Sequence, residues 1–359
     1  MTQPAHGTHT LETAMRRALD LAARGPAHGP NPRVGCVLLA PDGRTVAEGF
    51  HRGAGTPHAE AAALGAARAA GVDIRGTTAV VTLEPCAHHG RTGPCADALI
   101  EAGVATVHVA VRDPNPVATG GAERLRAAGT EVTIGTLAAD GEELLRPWLH
   151  AVRTGRPWVT LKLATSLDGR VAAADGTSRW ITGAAAREHA HTVRAQVDAI
   201  AVGSGTVAAD DPSLTARTPD GDLAGHQPLR VVLGTRPVPG DARLHGPGGP
   251  LLHLPTHDLD AALRALGERE VRHVLVEGGP TVAAALLAAD AVDELHAYVA
   301  PVLLGAGANA VADLGISTIG DAARFATRSV TRLGDDVLLV ARRRTPPPST
   351  AHQSVQEEI

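Results

Sequence analysis

The chain has 359 residues, room for two ordinary domains, and 44% of them are hydrophobic, enough to fill a core in each. A formal net charge of −5 and an aromatic content of 2% argue against a nucleic-acid-binding surface, which needs basic stripes and stacking platforms. No run approaches the roughly 20 apolar residues of a membrane span, and MTQPAHGTHT carries no targeting signal, so a cytoplasmic enzyme acting on a small molecule is expected.

Helical spacing of Leu11, Met15, Ala18, Leu19 and Ala22 predicts a helix over Thr10–Arg24, broken by Pro30 and Pro32. Val34–Leu39 reads as a buried strand, Pro41-Asp42-Gly43 as a turn and Thr45–Phe50 as the hairpin partner. A helix over His58–Ala70 closes at Gly71, and a strand over Thr77–Thr82 follows. Pro94 starts a helix to Ala102. Strand Thr106–Val111, helix Gly121–Ala128 and strand Glu131–Ile134 complete an α/β layered unit. Asp140–Arg156 reads as a helix and linker. A second set has strands at Trp158–Leu163, Ala199–Val202, Leu229–Leu233, Leu251–Leu254, His273–Val276 and Leu295–Val299, and a strand pair around Gly334-Asp335. Its helices fit Ala184–Ala195, Leu259–Leu266 and Thr281–Ala288. The expected division is a first domain over 1–150, a second over 151–345 and a disordered Pro-, Ser- and Gln-rich tail over 346–359.

The three cysteines, Cys36, Cys86 and Cys95, are an odd number, which speaks against a disulfide framework and leaves metal ligation or burial. Cys36 lies inside the apolar run Val34–Leu39 and reads as a small buried hydrophobe. His58-Ala59-Glu60 opens a helix, Pro85-Cys86 follows a strand and Cys95 begins the next helix. One His and two Cys make the three-ligand set of a catalytic zinc that keeps a position open for water. All three are expected at or just before helix starts, where the dipole favours thiolates. Glu60, two residues past His58, reaches the site without ligating and is the proton shuttle of a zinc deaminase, in a His-x-Glu … Pro-Cys pattern. Eight residues, not the usual two, separate Cys86 from Cys95. That insert carries His88, His89 and Arg91; either histidine could complete a four-ligand structural zinc site. As a whole, the loop suits either a phosphate or plain solvation.

In the second half, Gly203-Ser204-Gly205-Thr206-Val207-Ala208 resembles the dinucleotide fingerprint after a strand. Asp210-Asp211-Pro212 is expected to interrupt any helix there, and no acidic residue ends a strand at the required distance, so a Rossmann domain is rejected. Glu277-Gly278-Gly279-Pro280-Thr281 reads either as a phosphate seat at a helix N-terminus or as a tight turn. Lys162 after its strand and the turn Leu167-Asp168-Gly169-Arg170 are each unremarkable alone.

Together these stretches, with Asn31-Pro32-Arg33-Val34-Gly35-Cys36-Val37, Asp113-Pro114-Asn115-Pro116, Trp180-Ile181-Thr182 and Asp210-Asp211-Pro212, resemble the bifunctional riboflavin-biosynthesis deaminase–reductase family from about residue 11 to 343. The long Cys86–Cys95 spacing is what that family shows. The resemblance implies a cytidine-deaminase-like three-layer α/β domain followed by a dihydrofolate-reductase-like α/β domain. It implies Zn2+ and NADPH as cofactors. The first domain would deaminate a diaminopyrimidinone ribosylamino phosphate, and the second would reduce the sugar of the product to a ribityl chain. By positional match His58, Cys86 and Cys95 bind zinc, Glu60 is catalytic, and Asn31 and His51 contact the first substrate. NADPH falls to Ala164, Trp180, Thr206, Asp210, Thr235 and the stretch Gly279, Pro280, Thr281, Val282, Ala283, Ala284, Ala285. The second substrate falls to Lys162, Ser178, Arg194, Leu214, Arg217 and Glu277, with Arg194 and Arg217 as phosphate clamps. Gly93 departs from a common proline, and Gly234-Thr235-Arg236 from an Asp-Ser-type stretch. The expected partners are phosphorylated pyrimidines, with no nucleic acid, no membrane and a homo-oligomer, dimer or tetramer. The competing readings are a nucleoside or tRNA-base zinc deaminase with an accessory non-reductase domain, and a homologue in which one domain only binds.

Overall fold

Short β-branched runs alternating with alanine-rich helices make parallel sheets, because each helix carries the chain back before the next strand begins. The computed structural model, which describes residues 6–88 and 93–344, shows this twice. The first half runs α1 (His6–Ala23), β1 (Gly35–Leu39), β2 (Thr45–Phe50), α2 (Ala59–Ala69), β3 (Thr78–Leu83), α3 (Cys95–Glu101), β4 (Thr106–Val111), α4 (Gly121–Ala127), β5 (Glu131–Ile134) and α5 (Ala138–Thr154). Its sheet has the order β2-β1-β3-β4-β5, with β1 antiparallel to both neighbours and β3, β4 and β5 parallel. Met15 and Ala18 of α1 and Trp148 and Leu149 of α5 cover one face, over Val37, Val80 and Ala110. Ala63 and Ala67 of α2 and Leu99 of α3 cover the other, over Leu38, Val81 and Val109. These are the three layers expected. The approach of α2 is unusually close: a Cβ on Gly49 would lie 2.4 Å from the Ala59 carbonyl oxygen and from the Ala63 nitrogen.

The second half runs β6 (Trp158–Ser166), α6 (Ala184–Arg194), β7 (Ala199–Gly203), α7 (Ser204–Asp210), β8 (Leu229–Leu233), β9 (Leu251–Leu254), α8 (Leu259–Gly267), β10 (His273–Val276), α9 (Pro280–Ala288), β11 (Glu294–Ala300), β12 (Phe325–Leu333) and β13 (Asp336–Arg343). The sheet order is β12-β13-β11-β6-β10-β7-β8-β9, parallel from β11 to β9 and antiparallel across β11, β13 and β12. Leu263 and Leu266 of α8 and Leu286 of α9 bury one face, while Val207 of α7 packs on the other with Leu214 and Leu244.

One expectation about the elements needs correction. Asp210-Asp211-Pro212 does not prevent a helix after the Gly-Ser-Gly turn: α7 forms over seven residues and stops only when Asp211 enters the left-handed region at φ 40, ahead of Pro212. The rejection of a Rossmann domain now rests on the strand order and the antiparallel edge. The segment over 140–156 is the helix and short linker expected. Helix α5 is continuous through Pro147, and β6 starts four residues after it ends. The tail over 346–359 lies outside the described residues.

The halves are joined by polar contacts. The Gly29 N–H donates to Asp198, whose other oxygen accepts from the Arg272 and His273 amides at 2.9 and 2.8 Å. The rings of His28 and His226 stack with centroids 3.4 Å apart. Arg342 of β13 forks onto Glu143 of α5 at 2.6 and 2.7 Å, and its Nε donates to Glu294.

Candidate active sites

His58 caps α2 in extended backbone, which throws its ring back across the end of the sheet, and Glu60 occupies the first turn of that helix. Cys95 opens α3, and Cys86 lies three residues beyond β3. The three meet: His58 Nδ1 lies 3.7 Å from Cys86 Sγ and 3.4 Å from Cys95 Sγ, and all three ligand atoms fall within 4.8 Å of one another. A tetrahedral zinc with its usual bond lengths needs nitrogen–sulfur edges of about 3.6 Å, so the set fits that ion. His58 and Cys95 stand at helix starts as expected; Cys86 does not. It sits in the preceding loop and instead accepts the first amide of α3, Cys95 N–H to Sγ at 3.4 Å. That amide gives Cys86 the same electrostatic benefit. Hydrogen bonds from Cys95 and then His58 pull the Cys86 thiol down, while donating to Cys86 and burial hold Cys95 up. The Cys86 hydrogen bond raises His58.

Glu60 is 3% exposed. Burial pushes its carboxyl up to about 6, with the Cys86 charge adding and His58 opposing, and the carboxyl touches Cys95. His51 Nδ1–H donates to the Pro57 carbonyl at 3.1 Å, which leaves Nε2 to accept from Asn31 Nδ2 at 3.0 Å; the ring stands edge-on to His58 with centroids 5.5 Å apart. Asn31 and His51 thus flank the ligand cluster. Cys36 is fully buried among the core residues beneath α2 and is no ligand. Of the inserted loop, His88 presents a buried Nδ1 without a hydrogen-bond partner, and residues 89–92, including His89 and Arg91, lie outside the described residues.

Sequence reasoning passed over Glu84. This buried carboxylate accepts the Asp113 amide at 3.2 Å and the Ala122 amide at 3.0 Å, tying the Pro85-Cys86 loop to the Asp113-Pro114-Asn115-Pro116 loop and to α4. Its signal was an acid at the end of an apolar strand, directly ahead of Pro-Cys.

The second site is a cavity of about 1140 Å3 over the carboxyl ends of β6, β10, β7 and β8, where ligands of parallel sheets bind. Ala164, Trp180, Thr206, Asp210, Thr235, Gly279, Pro280, Thr281, Val282 and Ala285 line it, together with Lys162, Ser178, Arg194, Leu214, Arg217 and Glu277. Ala283 and Ala284 do not. Seven consecutive residues cannot face one side of a helix, and these two turn into the core. Gly279 caps α9 with Pro280 at its first turn, and a Cβ on it would come to 3.4 Å from Thr206 Oγ1. The free first-turn amides and the bare backbone suit the diphosphate of a dinucleotide, so the residues fit NADPH.

Glu277 is the electrostatic centre. Arg194 forks onto it at 2.7 and 2.8 Å, and Lys162 Nζ lies 3.6 Å away. Burial works to raise this carboxyl, but Arg194 and then Lys162 outweigh it and hold it at about 2. Arg194 is paired with Glu277 here and also donates to the Thr215 carbonyl at 3.0 Å. Arg217 has no carboxylate partner among the described residues: its only side-chain hydrogen bond there goes to the Gly221 carbonyl at 2.6 Å. Lys162 lies within β6, not after it, with Nζ 5.8 Å from the Tyr298 ring centroid.

Two family models match this chain: the cytidine and deoxycytidylate deaminase zinc-binding region over residues 8–111, and the RibD C-terminal domain over residues 157–339. The riboflavin biosynthesis protein RibD of Mycobacterium tuberculosis is 52% identical over 311 residues, covering 86% of this chain and 90% of that one. This chain belongs to the RibD family. The Escherichia coli member is 43% identical over 364 residues, covering 91% of this chain and 98% of its own. The crystal structure of the Thermotoga maritima diaminohydroxyphosphoribosylaminopyrimidine deaminase/5-amino-6-(5-phosphoribosylamino)uracil reductase matches with a TM-score of 0.86 at 36% identity, covering 94% of this chain and 100% of that one. Acinetobacter baumannii RibD matches with a TM-score of 0.85 at 40% identity over 94% of this chain and 100% of its own. The chain is therefore a bifunctional enzyme of riboflavin biosynthesis, a zinc-binding deaminase followed by an NADPH-dependent reductase. The reading as a nucleoside or tRNA-base deaminase with a non-reductase second domain is set aside by the RibD C-terminal match.

Proposed function

We propose that His58, Cys86 and Cys95 hold the zinc and that Glu60 is the acid–base group which deaminates a diaminohydroxyphosphoribosylaminopyrimidine, the substrate named for the Thermotoga relative. The observation that carries this is a buried carboxylate in the first turn of α2, two residues from His58 in a His/Cys/Cys cluster of zinc-ligand geometry. Zinc lowers the pKa of a bound water towards neutrality and so supplies the nucleophile. Glu60 moves the proton: it takes one from the attacking water, passes it to the ring nitrogen and then delivers one to the departing amine. A carboxyl held near neutral pH is suited to both directions of transfer. Asn31 and the Nε2 side of His51 orient the pyrimidine beside it.

In the second half, NADPH supplies a hydride for the sugar carbon of 5-amino-6-(5-phosphoribosylamino)uracil. The Gly278-Gly279 turn seats the diphosphate, Lys162 and Glu277 hold the reacting end, Ser178 and Leu214 bound it, and Arg217 receives the substrate phosphate. We divide the chain into domains over 1–150 and 151–345. In support, Trp148 packs in the first core, whereas Arg156 pairs with Asp293 of the second half at 2.8 Å. The exposed edge strand β12, with Val330 open to solvent, favours a homo-oligomer. Among the described residues no helix is long and apolar enough to cross a membrane, and with the net charge of −5 this supports a cytoplasmic enzyme of small phosphorylated substrates.

The test is Glu60→Gln. The variant keeps about one zinc per chain and oxidises NADPH at the normal rate when given the deaminated substrate, but releases no ammonia from the diamino substrate. Joint loss of both activities, or retained deamination, overturns the assignment.

A further inference from the structure

The cavity's far end has a cation that neither the fold nor the proposed substrate contacts use. Along the sheet, β6, β10, β7, β8 and β9 are neighbours in that order, and successive strands stand about 4.8 Å apart. Lys162 of β6 and Glu277 after β10 mark the reacting end. The Gly278-Gly279 turn at α9 follows, then Gly203-Ser204 after β7, and last Gly234-Thr235-Arg236 after β8. This is also the order of the parts of a nicotinamide dinucleotide: ring, diphosphate, adenosine. Arg236 therefore stands two strands beyond the glycine turn, at the adenosine end.

The turn that presents it is firmly placed. The Gly234 amide donates to the Leu254 carbonyl at 3.1 Å, and His253 Nε2 donates to the Gly234 carbonyl at 2.7 Å. Gly234 adopts φ 111, and a Cβ there would come to 2.7 Å from Ser204 Oγ, so the backbone crosses the cavity floor at contact distance. Thr235 Oγ1 lies 3.3 Å from His257 Nε2 at the end of β9, both on the cavity wall. The Arg236 guanidinium lines the same wall and has no carboxylate within ion-pair distance among the described residues. The acids that line the cavity are elsewhere: Glu277 is spent on Arg194, and Asp210 ends α7. A guanidinium free of carboxylate partners at this end is the group that a ribose 2′-phosphate pairs with and an unphosphorylated ribose does not need.

We infer that Arg236, with Thr235 and His257 beside it, receives the 2′-phosphate of the adenosine ribose and is the residue by which this reductase selects NADPH over NADH. The inference rests on the placement of the cofactor in this cavity proposed above. The Gly-Thr-Arg turn with His257 thus offers a hydroxyl, an imidazole and a guanidinium to one phosphate.

The test is calorimetric titration of the holoenzyme, without sugar substrate, with NADPH, NADH and 2′,5′-ADP. Arg236→Ala should weaken NADPH and 2′,5′-ADP about ten- to a hundredfold, as loss of a charged hydrogen-bonding pair does, and leave NADH within about twofold. Arg236→Lys should recover part of the loss. Equal weakening of NADPH and NADH, or an unchanged NADPH affinity, overturns the inference. A second variant separates it from the underlying reading: Gly279→Val fills the diphosphate seat and should weaken both dinucleotides. If Gly279→Val changes neither, the cofactor lies elsewhere, and the inference falls together with the placement.

Discussion

At the scale of single residues, Glu277 shows how a charge survives burial. It is surrounded by Arg194 and Lys162, so its carboxylate is stabilised by more than its desolvation costs. Glu277→Gln removes that compensation and leaves Arg194 buried beside an amide. Breaking one member of such a pair typically costs about 3–5 kcal/mol, to be read as a lowered urea midpoint of the purified variant; an unchanged midpoint would mean that water has replaced the carboxylate. The pH sign follows from the depressed value. The folded carboxyl titrates at about 2 against an ordinary 4.5, so its stabilisation is complete above 4.5 and is lost as pH falls towards 2. Sequence alone gave Glu277 a role only through family resemblance. Its partner Arg194 lies 83 positions away on a different element, and no local pattern announces a pair of that span. His58, Glu60, Cys86 and Cys95 were legible for the opposite reason: metal chemistry restricts residue type so strongly that four side chains identify a site before any contact is known.

Elements place these residues, and the contact of β2 with α2 is the one most exposed to error. Gly49 lets the two backbones touch at the turn that begins with His58 and Glu60. Gly49→Ala has no free space and must lift the start of α2 away from the sheet. Overpacking of this kind costs about 1–3 kcal/mol. The expected outcome is a lower melting temperature together with zinc lost to a weak chelator, while Gly65→Ala, on the same helix with open space around it, retains both. Equal zinc retention in the two variants would show that α2 absorbs the shift without moving His58. Hydrophobic period made most strands and helices readable, β2, β4, β5, β8, β9 and β10 to the residue. Helix α7 escaped it because its seven residues bury only Val207, which is no stripe, and because Asp-Asp-Pro follows where a longer helix would be broken. The reach of β6 to Ser166 was also hidden, since Lys162 and Thr165 interrupt the apolar run and Lys162 faces a cavity that the sequence does not display.

Over the whole molecule, mild acid should loosen the structure through a histidine. His273 is half-buried at the start of β10, its Nε2 2.8 Å from Thr160 Oγ1, and burial first, then His296 and Arg33, bring it down to about 4. The unfolded chain takes up a proton on this residue below 6.5, but the folded chain does not until about 4. Stability is therefore intact above 6.5 and falls across that window, by about 3 kcal/mol at full extent. Burial and His226 likewise depress His28 to about 4 at the joint between the halves. Melting temperature followed from pH 7 to pH 4 should drop more steeply for the native chain than for His273→Leu. Parallel curves would show that His273 does not govern the loss.

The joint has a further consequence for modularity. Asp198 accepts amides from both halves, His28 and His226 share one ring stack, and Arg342 bridges Glu143 to Glu294. The peptide between α5 and β6 is thus only one of several ties. A protease cut there would leave two pieces with matched polar faces, each ending in groups that want the other, and the pair would behave as a heterodimer whose subunits happen to be encoded in series.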